Sequence, residues 1–78
     1  MSYTLQAIAV ELAHAKGKFG PIRSVHEAIG VIREEYLEAE REAFRQHVDK
    51  PGLADELVHL AAMCVRAIED LALWSPDC

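Results

Sequence analysis

The chain has 78 residues, 51% of them apolar, with a formal net charge of −5 and a pI near 5.2. This length allows one domain, residues 1–78, whose core is too small to be very stable alone, so the apolar content favours self-association. The acidic balance excludes a basic nucleic-acid-binding surface, and no apolar run approaches the roughly 20 residues of a membrane span.

Three helices are predicted, separated by the glycine- and proline-containing stretches GKFGPIRS (residues 17–24) and DKPG (residues 49–52). The first helix is expected over residues 4–16, because apolar side chains recur there at helical spacing. Its apolar stripe consists of Leu5, Ile8, Ala9, Leu12 and Ala13.

The second helix is expected from about residue 24 to about residue 47. It begins with SVHE, which has the form of a capping box: Ser24 can accept from a free backbone amide while Glu27 reaches back. Its apolar stripe consists of Val25, Ala28, Ile29, Ile32, Tyr36, Ala39 and Ala43.

The third helix is expected from about residue 51 to about residue 74, and Pro51 suits its first turn. Its apolar stripe consists of Leu53, Leu57, Leu60, Ala61, Cys64, Ile68 and Leu71. The predicted fold is all-α: three antiparallel helices whose exposed apolar faces are completed by homo-oligomerisation, as dimer or tetramer, into a four-helix-type bundle.

A cytoplasmic location is expected from the start of the chain and from its cysteines. The first residues, MSYTLQAIAVELAHAKGK, lack the charged segment followed by an apolar run that marks a signal peptide. The two cysteines, Cys64 in an apolar stripe and Cys78 at the last position, do not form a disulfide framework, which favours a reducing compartment.

An acidic ridge runs along the second helix in the stretch VIREEYLEAERE, which has five glutamates against two arginines. Glu34 and Glu38, like Glu38 and Glu42, are like-charge pairs four residues apart, and each pair destabilises a helix by a few tenths of a kcal/mol. A bound cation would relieve this repulsion. A solvated glutamate-rich face explains the same pattern without a ligand, and spacing alone favours that alternative.

The third helix offers a matching edge, because Glu56 and His59 are three residues apart and share a face. If the second and third helices pack antiparallel, this edge converges with Glu35 and Glu38. Carboxylates at this spacing on neighbouring helices build metal sites in helical bundles. Mg²⁺ typically takes one or two protein carboxylates together with water and substrate phosphate oxygens, so such a site points to phosphate chemistry.

Two long phrases of the sequence, KFGPIRSVHEAIGVIREEYLEAERE and ADELVHLAAMCVRAIEDL, resemble the MazG-like, all-α NTP pyrophosphohydrolase superfamily, and its short single-domain phage and bacterial members in particular. The likeness covers roughly residues 18–71. The family signature is E-x-x-E, a spacer and then E-x-x-D. EYLE supplies Glu35 and Glu38, and ELVH supplies Glu56 and His59.

The resemblance implies antiparallel helices that dimerise or pair further. It also implies Mg²⁺ held by Glu35, Glu38 and Glu56, and cleavage of a nucleoside triphosphate between its α and β phosphates to give the monophosphate and pyrophosphate. His59 stands where the signature has an acid. Its imidazole suits Mn²⁺ or Zn²⁺ better than Mg²⁺, or it could donate to a ligating carboxylate, while Asp55 one turn earlier could substitute in part.

Substrate contacts are expected at the first joint, where Lys18 and Phe19 could meet a phosphate and a base. A lysine near the end of a helix is also favourable without a ligand. Two alternatives to an active enzyme stay open. One is a degenerate MazG-like fold that binds metal or nucleotide without efficient turnover, which His59 favours. The other is a helical module whose apolar faces bind a partner protein.

Overall fold

Three helices make up the computed structural model, which describes residues 2–74: α1 (Tyr3–Lys18), α2 (Val25–Ala43) and α3 (Lys50–Asp70). The all-α prediction is confirmed, and residues 2–74 contain no strand. Cys78 lies outside the described residues. Among the helices described, none is both long enough and apolar enough to cross a membrane.

Serine side chains cap the first two helices. Ser2 Oγ accepts from the Leu5 amide at 3.1 Å, and Ser24 Oγ accepts from the Glu27 amide at 3.1 Å. Glu27 Oε2 in turn accepts from the Arg23 amide at 3.3 Å, one residue before the donor that the standard capping box uses. The predicted role of Glu27 at a helix start is therefore confirmed.

The Ser24 cap supports a first prediction. Ser24→Ala removes the acceptor for the Glu27 amide, and losing an N-cap costs about 1 kcal/mol. For a domain of this size, the midpoint of thermal unfolding should fall by roughly 4–8 °C. Ser2→Ala is the matched control, because it removes the same kind of cap from the first turn of the chain, where helices fray; its effect should be smaller.

The predicted end of the first helix was two residues too early, and those of the second and third helices were four residues too late. The second helix ends at Ala43, because the backbone of Phe44 leaves the helical region and the segment up to Asp49 reverses the chain. The third ends at Asp70. There Ala72 takes a left-handed conformation with φ of 51°, its amide bonds the Glu69 carbonyl, and the Leu73 amide bonds the Ile68 carbonyl. These two bonds form a Schellman motif, which glycine usually signals and alanine does not.

The central helix is α3, which packs against both of the others. It runs antiparallel to α2, so that Ala67 near its end meets Ala28 near the start of α2. On its other side α1 runs in the same direction as α3, and Lys16 near the end of α1 forms an ion pair with Glu69 at 2.6 Å. Successive helices therefore alternate in direction, and both α1 and α2 pack on α3.

The core is thin. Its two clusters are built around buried small side chains, and within residues 2–74 no large side chain is completely buried. The buried apolar residues are Ala15, Ile22, Ala28, Ala39, Ala62, Met63 and Ala67. Such a core buries little apolar surface per residue, so the single chain has little stability to spare.

Part of each predicted apolar stripe is exposed instead of buried. In α1 the exposed members are Leu5, Ala9 and Ala13, and Ala15 is buried in their place. In α2 and α3 the exposed members and some half-buried neighbours line two cavities along the helix pair, which together are here called the α2/α3 apolar face. It is formed by Val25, Ile29, Tyr36 and Ala43 of α2 and by Leu53, Leu57, Leu60, Cys64 and Ile68 of α3. On α3 the side that turns inward carries Met63 and Arg66, which leaves part of the stripe on this face.

A buried arginine holds the α1–α2 connection onto α3. Arg66 is 5% exposed; its Nη2 donates to the Gly20 carbonyl and its Nε lies 3.5 Å from Asp70 Oδ2. The same Asp70 oxygen accepts from the Ile22 amide at 2.9 Å. This network fixes where α2 begins relative to α3, and hence how the two acidic edges face each other.

Candidate metal centre

Glu35 of α2 and Glu56 and His59 of α3 come together in the structure. Each side chain offers one ligand atom, and the three atoms lie within 4.8 Å of one another. All three residues are half-buried. Three of the four predicted metal ligands therefore converge across the antiparallel α2/α3 pair, which is the geometry that a shared cation requires.

Two carboxylate oxygens in this group are buried without a donor. Glu35 Oε2 and Glu56 Oε2 are inaccessible to solvent, and neither accepts a hydrogen bond from any described residue. Buried oxygens are normally paired, because an unsatisfied charged acceptor costs the full loss of its hydration. A cation or a shared proton would satisfy both oxygens.

The fourth predicted ligand, Glu38, lies beside the group and is exposed. Burial is the main cause that raises the pKa of Glu35 above its ordinary value of 4.5, and the neighbouring Glu38 charge raises it further. Burial and Glu38 likewise raise the pKa of Glu56, while His59 acts in the opposite direction on both carboxyls. Without a cation, these two carboxyls therefore hold a proton more tightly than exposed carboxyls do.

These pKa shifts predict how the stability of the metal-free protein depends on pH. Because Glu35 and Glu56 have higher pKa values in the folded than in the unfolded chain, the folded state binds more protons between those values. Their stabilising contribution is present below pH 4.5 and is lost as the pH rises through the folded pKa values. In EDTA, the Glu35→Gln/Glu56→Gln variant should gain stability relative to wild type as the pH rises from 4.5 toward neutrality.

Chemical denaturation of both proteins across this pH range measures the difference directly. Subtracting the two curves removes the titration of all other groups, since they are common to both chains. A difference that stays constant with pH would contradict the prediction.

The acidic ridge beyond Glu38 does not join the centre. Glu42 lies 3.1 Å from Arg45 in an ion pair at the end of α2, and Glu34 is exposed. Asp55, the alternative acid one turn before His59, is exposed and is not a member of the group. Glu34 thus matches the solvated-face alternative, whereas Glu42 is half-buried in its ion pair.

A residue that sequence reasoning missed, Glu11 of α1, lies next to His59. Glu11 Oε2 is 3.6 Å from His59 Nε2, and Glu56 Oε2 is 4.0 Å from His59 Nδ1. The imidazole therefore has a carboxylate near each nitrogen, one from α1 and one from its own helix. The sequence offered one signal: Glu11 is the single acid in α1 and lies between apolar positions of its stripe.

The predicted substrate residues, Lys18 and Phe19, lie at a different place from the three ligands. The Phe19 ring has Lys18 Nζ 5.3 Å and Arg66 Cζ 5.7 Å from its centroid. Phe19 and Arg66 also line a cavity of about 190 Å³. Arg66 follows His59 on α3 by seven residues, or roughly 10 Å along the helix.

The donor set has a chemistry that suits a divalent cation. Two carboxylates and one imidazole can hold Mg²⁺ through oxygen, and the imidazole extends the range to Mn²⁺ and other transition ions. No family model, curated protein or solved structure matches the chain. The likeness to the MazG-like superfamily therefore stays a prediction.

Proposed function

We propose that the chain is a metal-dependent nucleoside triphosphate pyrophosphohydrolase that acts as a homo-oligomer. The observation that supports this most strongly is the convergence of Glu35, Glu56 and His59, with two buried carboxylate oxygens that lack a donor. The resemblance of the surrounding sequence to MazG-like proteins supplies the reaction: water attacks the α phosphorus, and pyrophosphate leaves.

The chain's residues divide the work as follows in this proposal. Glu35, Glu56 and His59 hold the ion, which supplies neutralisation of the phosphate oxygens and stabilisation of the charge that develops during transfer. Glu38 is exposed beside them and can orient the attacking water or accept its proton. A chain of net charge −5 repels a triphosphate, so the ion is also required for substrate binding.

Lys18 and Phe19 are proposed to contact the far part of the substrate. The Phe19 ring lies against Arg66, which follows His59 by roughly 10 Å along α3, and this span is within the length of an extended nucleoside triphosphate. The Phe19 ring is half exposed, so a base can reach it, while Lys18 supplies a charge that can meet a phosphate.

Self-association is proposed through the α2/α3 apolar face. The face lies on the other side of the α2/α3 contact from Glu35 and Glu56, so covering it leaves the metal centre accessible. This proposal is supported by the small core, since no large side chain in the described part of the chain is fully buried. A second copy is available whenever the protein is made, whereas a different partner is not.

The test is a product assay. Purified protein is incubated with a panel of NTPs and dNTPs in Mg²⁺, Mn²⁺ or EDTA, and the released pyrophosphate and phosphate are measured separately. The proposal expects monophosphate and pyrophosphate in equal amounts, with metal only, and no product from Glu35→Gln. Single phosphate release, or equal turnover in EDTA, would contradict it.

The second candidate is a degenerate relative that binds metal or nucleotide without efficient turnover. The observation that favours it is the ring of His59 between two carboxylates, an arrangement that can be satisfied internally. Metal-dependent binding of nucleotide with no pyrophosphate release would decide for this candidate. The third, a module that binds a partner protein through the apolar face, predicts no response to metal.

A further inference from the structure

We propose that Glu11 of α1 positions the His59 ring so that its Nδ1 serves as a metal ligand, which makes the centre selective for Mn²⁺ over Mg²⁺. This inference rests on the proposed function, since it concerns the ion that Glu35, Glu56 and His59 hold. It adds a third helix and a positioning residue to that centre.

The geometry assigns different roles to the two nitrogens of the ring. Nε2 faces Glu11 at 3.6 Å, and Nδ1 faces Glu56 at 4.0 Å. A neutral imidazole has one N–H and one lone pair. If the N–H is on Nε2 and points to Glu11, the lone pair on Nδ1 faces the carboxylates of the metal centre.

The distance to Glu11 is longer than a hydrogen bond, and a contraction of about 0.5 Å would bring it into range. Such contacts shorten when a site is loaded. Glu11 itself is not among the three converging ligands, so its part is to orient the ring. A carboxylate that accepts from the second nitrogen of a ligating histidine fixes its tautomer and raises its basicity.

The consequence for metal choice follows from donor chemistry. Mg²⁺ prefers oxygen and gains little from an imidazole, whereas Mn²⁺ and the other transition ions accept nitrogen readily. An oriented His59 therefore strengthens the binding of Mn²⁺ more than that of Mg²⁺. If Glu11 acted only through its charge, its loss would weaken the binding of Mn²⁺ and of Mg²⁺ equally, because Coulomb attraction depends on charge and distance only.

The experiment measures the Mn²⁺ and Mg²⁺ dissociation constants of the full chain. Free Mn²⁺ is followed by electron paramagnetic resonance, and Mg²⁺ is added as a competitor. Wild type is compared with Glu11→Ala and with Glu40→Gln, which removes an exposed carboxylate that lies beside the α2/α3 apolar face and outside the metal centre. In Glu11→Ala, the Mn²⁺ dissociation constant should rise roughly 10–100-fold, and the preference for Mn²⁺ should fall; Glu40→Gln should change neither.

A second readout is independent of metal. In metal-free wild type above pH 8, the ¹⁵N signals of His59 should show the tautomer with its proton on Nε2, and Glu11→Ala should shift the mixture toward the other tautomer. If Glu11→Ala leaves both the ion preference and the tautomer unchanged while wild type binds metal, the inference is overturned and the proposed function stands. If wild type binds neither ion, both are overturned.

Discussion

Replacing Glu56 with glutamine is expected to raise the thermal stability of the metal-free protein and to abolish its response to metal. In EDTA near neutral pH, wild type keeps a carboxylate whose pKa is raised by burial and by Glu38, so the charged form is disfavoured in the folded state. Glutamine has the same shape without the charge. The unfolding midpoint of the variant should therefore exceed that of wild type.

The order of stability should reverse when metal is added. At a concentration about 100 times the dissociation constant, an ion that binds only the folded state adds about 2.7 kcal/mol, or roughly 10–20 °C for a domain of this size. Wild type should be stabilised by metal to this extent, and Glu56→Gln should not. Glu40→Gln, which removes an exposed carboxylate elsewhere on α2, should gain as wild type does. A Glu56→Gln variant that is less stable in EDTA, or still responds to metal, would contradict the account.

A negative charge placed on the α2/α3 apolar face is expected to prevent self-association and to lower the unfolding midpoint. Leu57→Glu places a charge at a position that is 50% exposed in the single chain and buried if a second copy covers the face. Burying a leucine contributes about 2 kcal/mol, and burying an unpaired charge costs more. The variant should be monomeric, and its unfolding midpoint should fall by about 10 °C or more.

Val10→Glu is the matched control. Val10 is 71% exposed on α1, outside the apolar face, so the same change in charge should leave both the oligomer and the midpoint nearly unchanged. Sedimentation equilibrium and thermal unfolding at two protein concentrations measure both properties. If wild type is itself monomeric, or Leu57→Glu behaves as Val10→Glu does, the face does not bind a second copy.

The helices could be predicted from sequence because apolar spacing and local capping residues determine them. Ser24 accepts from the Glu27 amide as the sequence indicates, while Glu27 reaches back one residue further than the capping box predicts, to the Arg23 amide. The end of α3 could not be predicted in this way, because its Schellman motif uses Ala72 where glycine is the usual signal. The buried side of α3 also depends on two packing partners at once, which a single helical wheel does not contain.

Part of the metal centre could likewise be predicted from local spacing, and part of it depends on contacts between residues far apart in the sequence. The i, i+3 pair Glu56 and His59, and its convergence with Glu35, follow from spacing once two helices pack antiparallel. Glu11 is 48 positions away from His59, and its contact depends on how α1 lies on α3. The position of α1 on α3 is set by packing and by the Arg66 network, and no local sequence pattern reveals either of them.

In the proposed function, a divalent cation joins this acidic chain to a triphosphate. This is tested by thermal unfolding of wild type with a non-hydrolysable dNTP, in EDTA, in Mg²⁺ and in Mn²⁺. Metal alone should raise the midpoint, nucleotide should raise it further, and nucleotide in EDTA should have no effect. Equal nucleotide shifts with and without metal, or no shift under any condition, would contradict it.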